Sequence, residues 1–380
     1  MFLDYDTLKL IWWLLVGVLL IGFALTDGFD LGVGMLLPFL GKNDNERRVI
    51  INSVGPTWEG NQVWLITAGG AIFAAWPTVY ATAFSGLYVA LLLVVFALFF
   101  RPVGFDYRSK IADPRWRNSW DWALFVGGFV PALVFGITFG NLLQGVPFHF
   151  DEILRSTYTG SFFDLLNPFA LLAGLVSLSM LVMHGAIYLQ LRTEEAVYQR
   201  AKRAAAIAAL TMITSFALAG LWLGMGIDGF RILSMPPVDA APNILAKTVE
   251  QASGAWLSNY ASYPWMLMAP LFGFSGAAGA LWLSARDQPG LAFISSGLSL
   301  TGVILTAGFS MFPFILPSST DPNSSLTAWD ATSSHLTLSW MFFAAIFFLP
   351  LIILYTSWVY RIMGGKVTEK QIQQKKHSVY

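Results

Sequence analysis

The sequence predicts an all-α polytopic membrane protein with nine transmembrane helices. Three observations carry that reading. Of 380 residues, 56% are apolar and 12% charged, against roughly 25% charged in a soluble domain. Several uncharged runs are long enough to cross a hydrocarbon core of about 30 Å at a rise of about 1.5 Å per residue. The 22 basic residues fall unevenly between alternate loops, as Lys and Arg do when they accumulate on the cytoplasmic side. The same composition narrows the chemistry. Zero net charge, with basic residues scattered in short loops, offers no stripe for nucleic acid. Without cysteine there is no disulfide, iron–sulfur cluster or thiolate metal site. The acidic start, MFLDYDTLK, leads into an apolar run without a small-residue cleavage pattern, so the first segment reads as retained rather than as a signal peptide.

The first span lies in Trp12 to Gly34, uncharged to Ala24 and then carrying Asp27 and Asp30. These acids are three apart and share a helical face. Gly22, Gly28, Gly32 and Gly34 thin the helix where other backbones can approach. A carboxylate in lipid costs a few kcal/mol on the insertion scale, so the acids either face protein or water inside a bundle or are solvated at headgroup depth. After a polar loop with Lys42, Arg47 and Arg48 comes Trp58 to Trp76, polar at its start and apolar after Val63. Clearer spans follow at Val79 to Phe100, Trp120 to Leu143, Pro168 to Leu189, Ala204 to Gly226, Pro264 to Leu283, Leu291 to Phe314 and Leu336 to Tyr360.

Loop charges test the count. If Trp58 to Trp76 crosses, 18 of the 22 basic residues share one side and Lys9, Arg155, Arg231 and Lys247 the other; if it does not, the division is 16 to 6. Both put the C-terminus inside, and the better division, with nine spans, puts the N-terminus outside. The long polar connections, Gly226 to Tyr263 and Pro317 to Ser334, then lie outside, and Pro236, Pro237 and Pro242 argue against continuous helix in the first. Trp58, Trp76, Trp120, Trp122, Trp256, Trp265 and Trp358 gather near span ends, as interfacial belts do. The tail to Tyr380, with His377, reads as a solvated end, and the chain 1–380 as one integral membrane domain.

Chemistry concentrates in few places. Glu59, Asn61 and Gln62 open the second span, with Glu59 at the same depth as Asp27 and Asp30 because one short loop joins the helices. Three carboxylates at one depth suit a proton path; they also suit an interfacial capping cluster, or the ion site of a secondary transporter. His184, beside Met180 and Met183, is the one imidazole well inside a span. It reads as a core histidine rather than a haem ligand, and His335 as interfacial. The group Arg101, Asp106, Arg108, Lys110, Asp113, Arg115, Arg117 and Asp121 alternates in sign and reads as a positive-inside loop ahead of a partner-docking surface. The echo between LITAGGAIF from Leu65 and LTAGFSMF from Leu305 reads as small-residue helix packing rather than a repeat.

The blocks Trp12 to Leu36, Glu46 to Pro77, Phe100 to Lys110 and Met311 to Thr320, with the ending HSVY, closely resemble subunit II of the cytochrome bd ubiquinol oxidases. The resemblance runs through essentially the whole chain. It implies two four-helix bundles plus one peripheral helix, and a place in the bacterial inner membrane. It also implies a complex that oxidises ubiquinol on the outer side and reduces dioxygen to water with protons from the cytoplasm. The two b-type haems and haem d are then expected in a partner, subunit I, with small single-span accessory subunits alongside. This chain would bind no haem, and a ubiquinone could sit in a lipid-facing groove as a structural ligand. On the family pattern Asp30 and Glu59 fall at positions tied to proton delivery toward haem d, with Glu59 replacing the expected aspartate. Trp64 falls near the entrance of an oxygen channel, and no role transfers to Asp27. A secondary transporter or a purely scaffolding subunit are the alternatives.

Overall fold

A computed structural model describes residues 3–374; His377 and the HSVY ending lie outside the described residues. Along the chain come α1 (Tyr5–Leu40), α2 (Asp44–Val54), α3 (Trp58–Ala75), α4 (Pro77–Gly86), α5 (Tyr88–Leu98), α6 (Phe100–Tyr107) and α7 (Pro114–Gln144). A hairpin of β1 (Phe148–Phe150) and β2 (Ser156–Tyr158) leads to α8 (Pro168–Arg192) and α9 (Glu195–Gly226). Next come β3 (Asp228–Ser234), β4 (Thr248–Ser253), α10 (Ser258–Ser262), α11 (Met268–Ala285) and α12 (Pro289–Met311). Strands β5 (Phe314–Leu316) and β6 (Leu326–Thr327), then α13 (His335–Ile362) and α14 (Glu369–Gln374), complete it.

Among the described residues eight segments are long and apolar enough to cross a membrane, and the bent pair α3 and α4 brings the number to nine if it counts as one span. Proline explains the break. Pro77 sits at the first position of α4, where a missing N–H costs nothing, and the two helices meet there at 119°. The expected third span, Val79 to Phe100, is thereby corrected: α4 goes with α3 in the bent pair, and the span after it is Tyr88–Tyr107, built from α5 and α6. Hydrogen bonds at both ends show that α3 runs the length of α1 in the opposite sense. Near its start Asn61 bonds Asp30, and at its end the Ala75 carbonyl accepts from Ser333, whose own carbonyl accepts from the Tyr5 hydroxyl.

Helix α1 is the central element, packed on α3, α7, α8 and α12. Glycine permits this. A Cβ on Gly32 would lie 2.2 Å from the Leu181 carbonyl oxygen, and one on Gly185 would lie 2.7 Å from the Gly32 backbone, so α1 and α8 touch main chain to main chain. At Gly22 the space is taken by the Trp64 ring. Helix α13 is the opposite case. Leu338 is its one buried residue, while Trp340, Phe347, Leu354 and Trp358 are exposed.

The two ends differ. At the end holding the α1 N-terminus, three two-stranded hairpins use the backbone groups of the long connections, and β3 and β4 flank the prolines that exclude helix there. Lys9, only 1% exposed, staples this end by donating to the carbonyls of Val238 (2.8 Å), Ala240 (3.3 Å) and Trp329 (2.7 Å). Lys247 pairs with Asp330 at 2.8 Å. At the other end the Arg101 to Asp121 segment is not a free basic loop. Arg108 is buried against Asp121 (2.5 Å) and Asp44 (3.0 Å), and Arg47 and Arg117 pair with the same two acids (2.7 Å each). Alternating signs were the visible cue; partners on α2 and α7 are what turn the segment inward.

Two outcomes follow. Gly32→Val should destabilise the protein by about 1–3 kcal/mol or more, because backbone on α8 cannot yield. Gly17→Ala, with nothing within 4 Å of the added carbon, should be near neutral; thermal melting of the purified protein reads both. At Glu46, burial pushes the carboxyl up, but the Arg200 guanidinium 2.6 Å away and the Lys42 amide outweigh it and hold the group below the usual glutamate range. A depressed carboxyl stabilises above its unfolded value of about 4.3, and that contribution disappears as pH falls through the folded value. The drop in melting temperature between about pH 5 and about pH 3 should thus be smaller in Glu46→Gln than in the unsubstituted chain.

Candidate functional site

Polar groups buried within the helices gather where α1, α3, α6 and α13 meet. Asp27 and Asp30 are 0% and 2% exposed, on one face of α1. Asp27 takes two guanidinium N–H groups from Arg101, at 2.8 and 2.5 Å. This bidentate fork satisfies both oxygens and matches the charge. Arg101 is itself 3% exposed and lies 5.6 Å from the centre of the Trp58 ring, which stacks on Phe105 at 5.1 Å. Two aromatic rings thus wall the ion pair from solvent.

Asp30 is held differently. Its Oδ2 accepts from the Asn61 amide at 2.7 Å, and its Oδ1 is buried with no protein partner. Asn61 Oδ1 in turn accepts from the Tyr360 hydroxyl at 2.5 Å. Among the described residues no Lys or Arg forms an ion pair with Asp30. The two acids therefore have different chemistry: Asp27 is locked into an ion pair, whereas a neutral amide tolerates Asp30 with or without its proton.

The expected residues are not one cluster. Glu59 stands on the exposed face of α3 with Val63, Ile66 and Phe73, away from the pocket that encloses Asp30. Trp64 is half-buried, its ring lying over Gly22. Its neighbour Leu65 lines an apolar cavity of about 250 Å³ between α1, α3, α7, α8, α9 and α12, walled by residues such as Phe23, Phe135, Met180 and Phe216. Asn61 was visible in the sequence, Arg101 was grouped there with the basic loop rather than with Asp27, and Tyr360 was not singled out. The signal for Arg101 was its position directly against an apolar run; Tyr360, some three hundred residues from Asn61 by about the scale of their separation in the chain, carried none.

His184 has no free coordination position. Its Nε2 donates to the Leu25 carbonyl at 3.1 Å, its Nδ1 lies 2.7 Å from Ser296 Oγ, and the ring stacks on Phe293 at 4.5 Å. The core-histidine reading agrees with this geometry. His335 bonds the Leu3 carbonyl through Nε2.

Comparison with known proteins bears on the whole chain. The family model described as cytochrome bd terminal oxidase subunit II matches residues 8–363. The chain is similar to cytochrome bd-I ubiquinol oxidase subunit 2 of Escherichia coli K12, at 57% identity over 378 residues and 100% of both chains. It is similar at 53%, again over 100% of both chains, to the probable cytochrome oxidase subunit 2 of Haemophilus influenzae. Its fold matches a chain in the structure of the bd oxidase from Geobacillus thermodenitrificans with a TM-score of 0.70 at 19% identity, covering 94% of this chain and 98% of that one.

The ion pair can be tested directly. Removing one partner of a buried pair strands the other charge, so Arg101→Met should cost about 3–5 kcal/mol, while Arg101→Met combined with Asp27→Leu should recover most of it. Thermal melting of the four members of this cycle gives the coupling. Additive losses would show that the two side chains act independently.

Proposed function

Because the chain belongs to the cytochrome bd terminal oxidase subunit II family, we propose that it is the haem-free subunit that carries cytoplasmic protons toward dioxygen reduction in its partner. The complex is an oxidoreductase, a ubiquinol oxidase, and this chain is one of its membrane subunits. The observation that carries the proposal is the contrast between the two acids of α1. Arg101 neutralises Asp27, so the site can change its charge at Asp30 alone, whose free oxygen and neutral amide partner leave room for a proton. Glu59, exposed on α3, is the residue of this route that faces outward, toward the partner subunit in this reading.

The haems belong to that partner. Two b-type haems and haem d need axial ligands, but His184 and His335 spend ring nitrogens on protein groups, and His149, whose Nδ1 is unpartnered, sits on strand β1 outside the spans. The residues here do not fit a haem, and no electron-transfer step runs through this chain. A ubiquinone fits better: the apolar cavity offers aromatic and aliphatic walls around Phe23, Phe135 and Phe216, with the Ser310 hydroxyl at its edge. Such a quinone would serve as a structural ligand, distinct from the ubiquinol oxidised by the partner. Trp64 borders the way dioxygen takes into the apolar interior. The basic end faces the cytoplasm of a bacterial inner membrane and the hairpin end faces the periplasm, along with the N-terminus, in accord with the distribution of Lys and Arg. Lipids and small single-span subunits cover exposed faces such as that of α13.

The test is proton-coupled turnover in the intact complex. Asp30→Asn should slow dioxygen consumption with reduced quinol at least about tenfold, as loss of a proton-transfer group does, while the haem spectrum stays unchanged. Glu59→Gln should slow it in the same direction. Full turnover in both variants across pH would leave a scaffolding role and remove the proton route.

A further inference from the structure

A second cavity, of about 270 Å³, opens at the basic end between the end of α2, α8, α12 and α13. Pro56, Met363 and Gly365 form its exposed rim, and Arg192 its side wall. At its base lie Tyr188 and Tyr360. The Tyr188 hydroxyl donates to the Ser53 carbonyl at 2.9 Å and that of Tyr360 to Asn61 at 2.5 Å, so each phenol has spent its hydrogen on protein and keeps lone pairs to offer. Arg192 Nε is a buried donor with no protein partner. Acceptors at the base and a donor on the wall suit molecules that both give and take hydrogen bonds, and the volume holds several waters.

What makes the cavity more than a solvated dent is where its base leads. Tyr360 bonds Asn61, and Asn61 bonds Asp30, so two hydrogen bonds of 2.5 and 2.7 Å separate the cavity from the buried carboxyl. Glu59 takes no part in this line, since it stands on the outer face of α3. We propose that this cavity is the aqueous access through which cytoplasmic protons reach Asp30, with Tyr360 as the positioning residue that sets Asn61 against the carboxyl. The proposal rests on the proton role of Asp30 argued above and adds the path that feeds it.

An amide neither takes up nor releases a proton near neutral pH, so Asn61 cannot itself relay one. A hydronium in the cavity instead hands its proton to Asp30 through water that reaches the carboxylate when the Tyr360 and Asn61 pair shifts. The carboxylate becomes a carboxylic acid, the cavity keeps a neutral water, and the pair then recloses. In this scheme Tyr360 controls the rate of reloading without touching the proton that moves.

The absence of native cysteine makes a clean experiment available. In the intact complex, Met363→Cys at the rim is labelled with a methanethiosulfonate bearing a sulfonate, and labelling is verified by mass. Dioxygen consumption should fall at least about tenfold and return when a reductant removes the label. Glu369→Cys, on the exposed part of α14, should label with no loss, and the complex without an introduced cysteine should be unaffected. Tyr360→Phe keeps the ring but removes the bond that holds Asn61, so the pair opens more readily, and the solvent isotope effect on kcat should fall while KM for quinol stays unchanged. Full turnover with the Met363→Cys label in place, together with slow Asp30→Asn, would overturn the access route and leave the role of Asp30 standing. Full turnover in Asp30→Asn would overturn both. An unchanged isotope effect in Tyr360→Phe would remove that residue from the path.

Discussion

A carboxylate inside a helix bundle surrounded by lipid has no water to turn to, and the fold answers with Arg101. The fork on Asp27 is the interaction on which the rest of the polar end depends. To reach it, α6 extends α5 past its apolar run, which stacks Phe105 on Trp58 in the first turn of α3. That turn carries Asn61 to Asp30. The attraction between two charges is strong in a medium of low dielectric, but so is the cost of burying them. The pair is better understood as specifying the register of three helices than as a source of net stability.

Close approach of main chains supplies the rest of that register. Gly32 against Gly185 brings α1 and α8 into contact, and α8 carries Tyr188 and His184. Stacking of Phe29 on Tyr188 at 4.0 Å, and of His184 on Phe293, continues from that contact into α12. A polar residue in lipid-embedded structure is expensive unless its partners are fixed, and here they are fixed by aromatic packing on one side and by glycine contacts on the other. His184 illustrates the result: an imidazole whose two nitrogens are both used by the protein is a structural group, whatever its neighbours Met180 and Met183 suggest in sequence.

How much of this was legible follows from the range of each interaction. Hydropathy and loop charge are local sums, so eight apolar spans could be read before the structure, whereas the semi-polar α3 reaches span length only together with α4 across the bend at Pro77. The helix start at Pro168 was equally local, whereas those at Pro77, Pro114 and Pro289 precede the expected starts at Val79, Trp120 and Leu291 because proline at a first helical position carries no hydropathy signal. The acidic pair on α1 and Asn61 were visible as polar letters in apolar surroundings. What those letters bond was not, because Arg101 lies 74 positions from Asp27 and Tyr360 lies 299 from Asn61, and no periodicity links them. The outward face of Glu59 was hidden for a related reason. Three residues of α3, Glu59, Val63 and Ile66, lie on one stripe whether that stripe meets a core or a neighbour, and only the packing of Trp64 on Gly22 fixes which face turns in.

The two cavities give the polar and apolar halves separate meanings. The apolar cavity, among six helices, contains few groups that could hold water, whereas the cavity at the basic end has hydroxyls and a guanidinium and reaches Tyr360. The Asp27 and Arg101 pair lines neither cavity. If water passed freely from one to the other, Asp30 would equilibrate with solvent and the charges of the pair would be screened; with aromatic rings on both sides, its charge is felt by whatever lies beside it. A carboxyl able to change charge in that setting matters only if a neighbour responds to the change. The chain's own titratable groups around Asp30 are committed elsewhere, Asp27 to Arg101 and Tyr188 to the Ser53 carbonyl. That leaves Asp30 as the acid of α1 whose second oxygen finds no partner among the described residues.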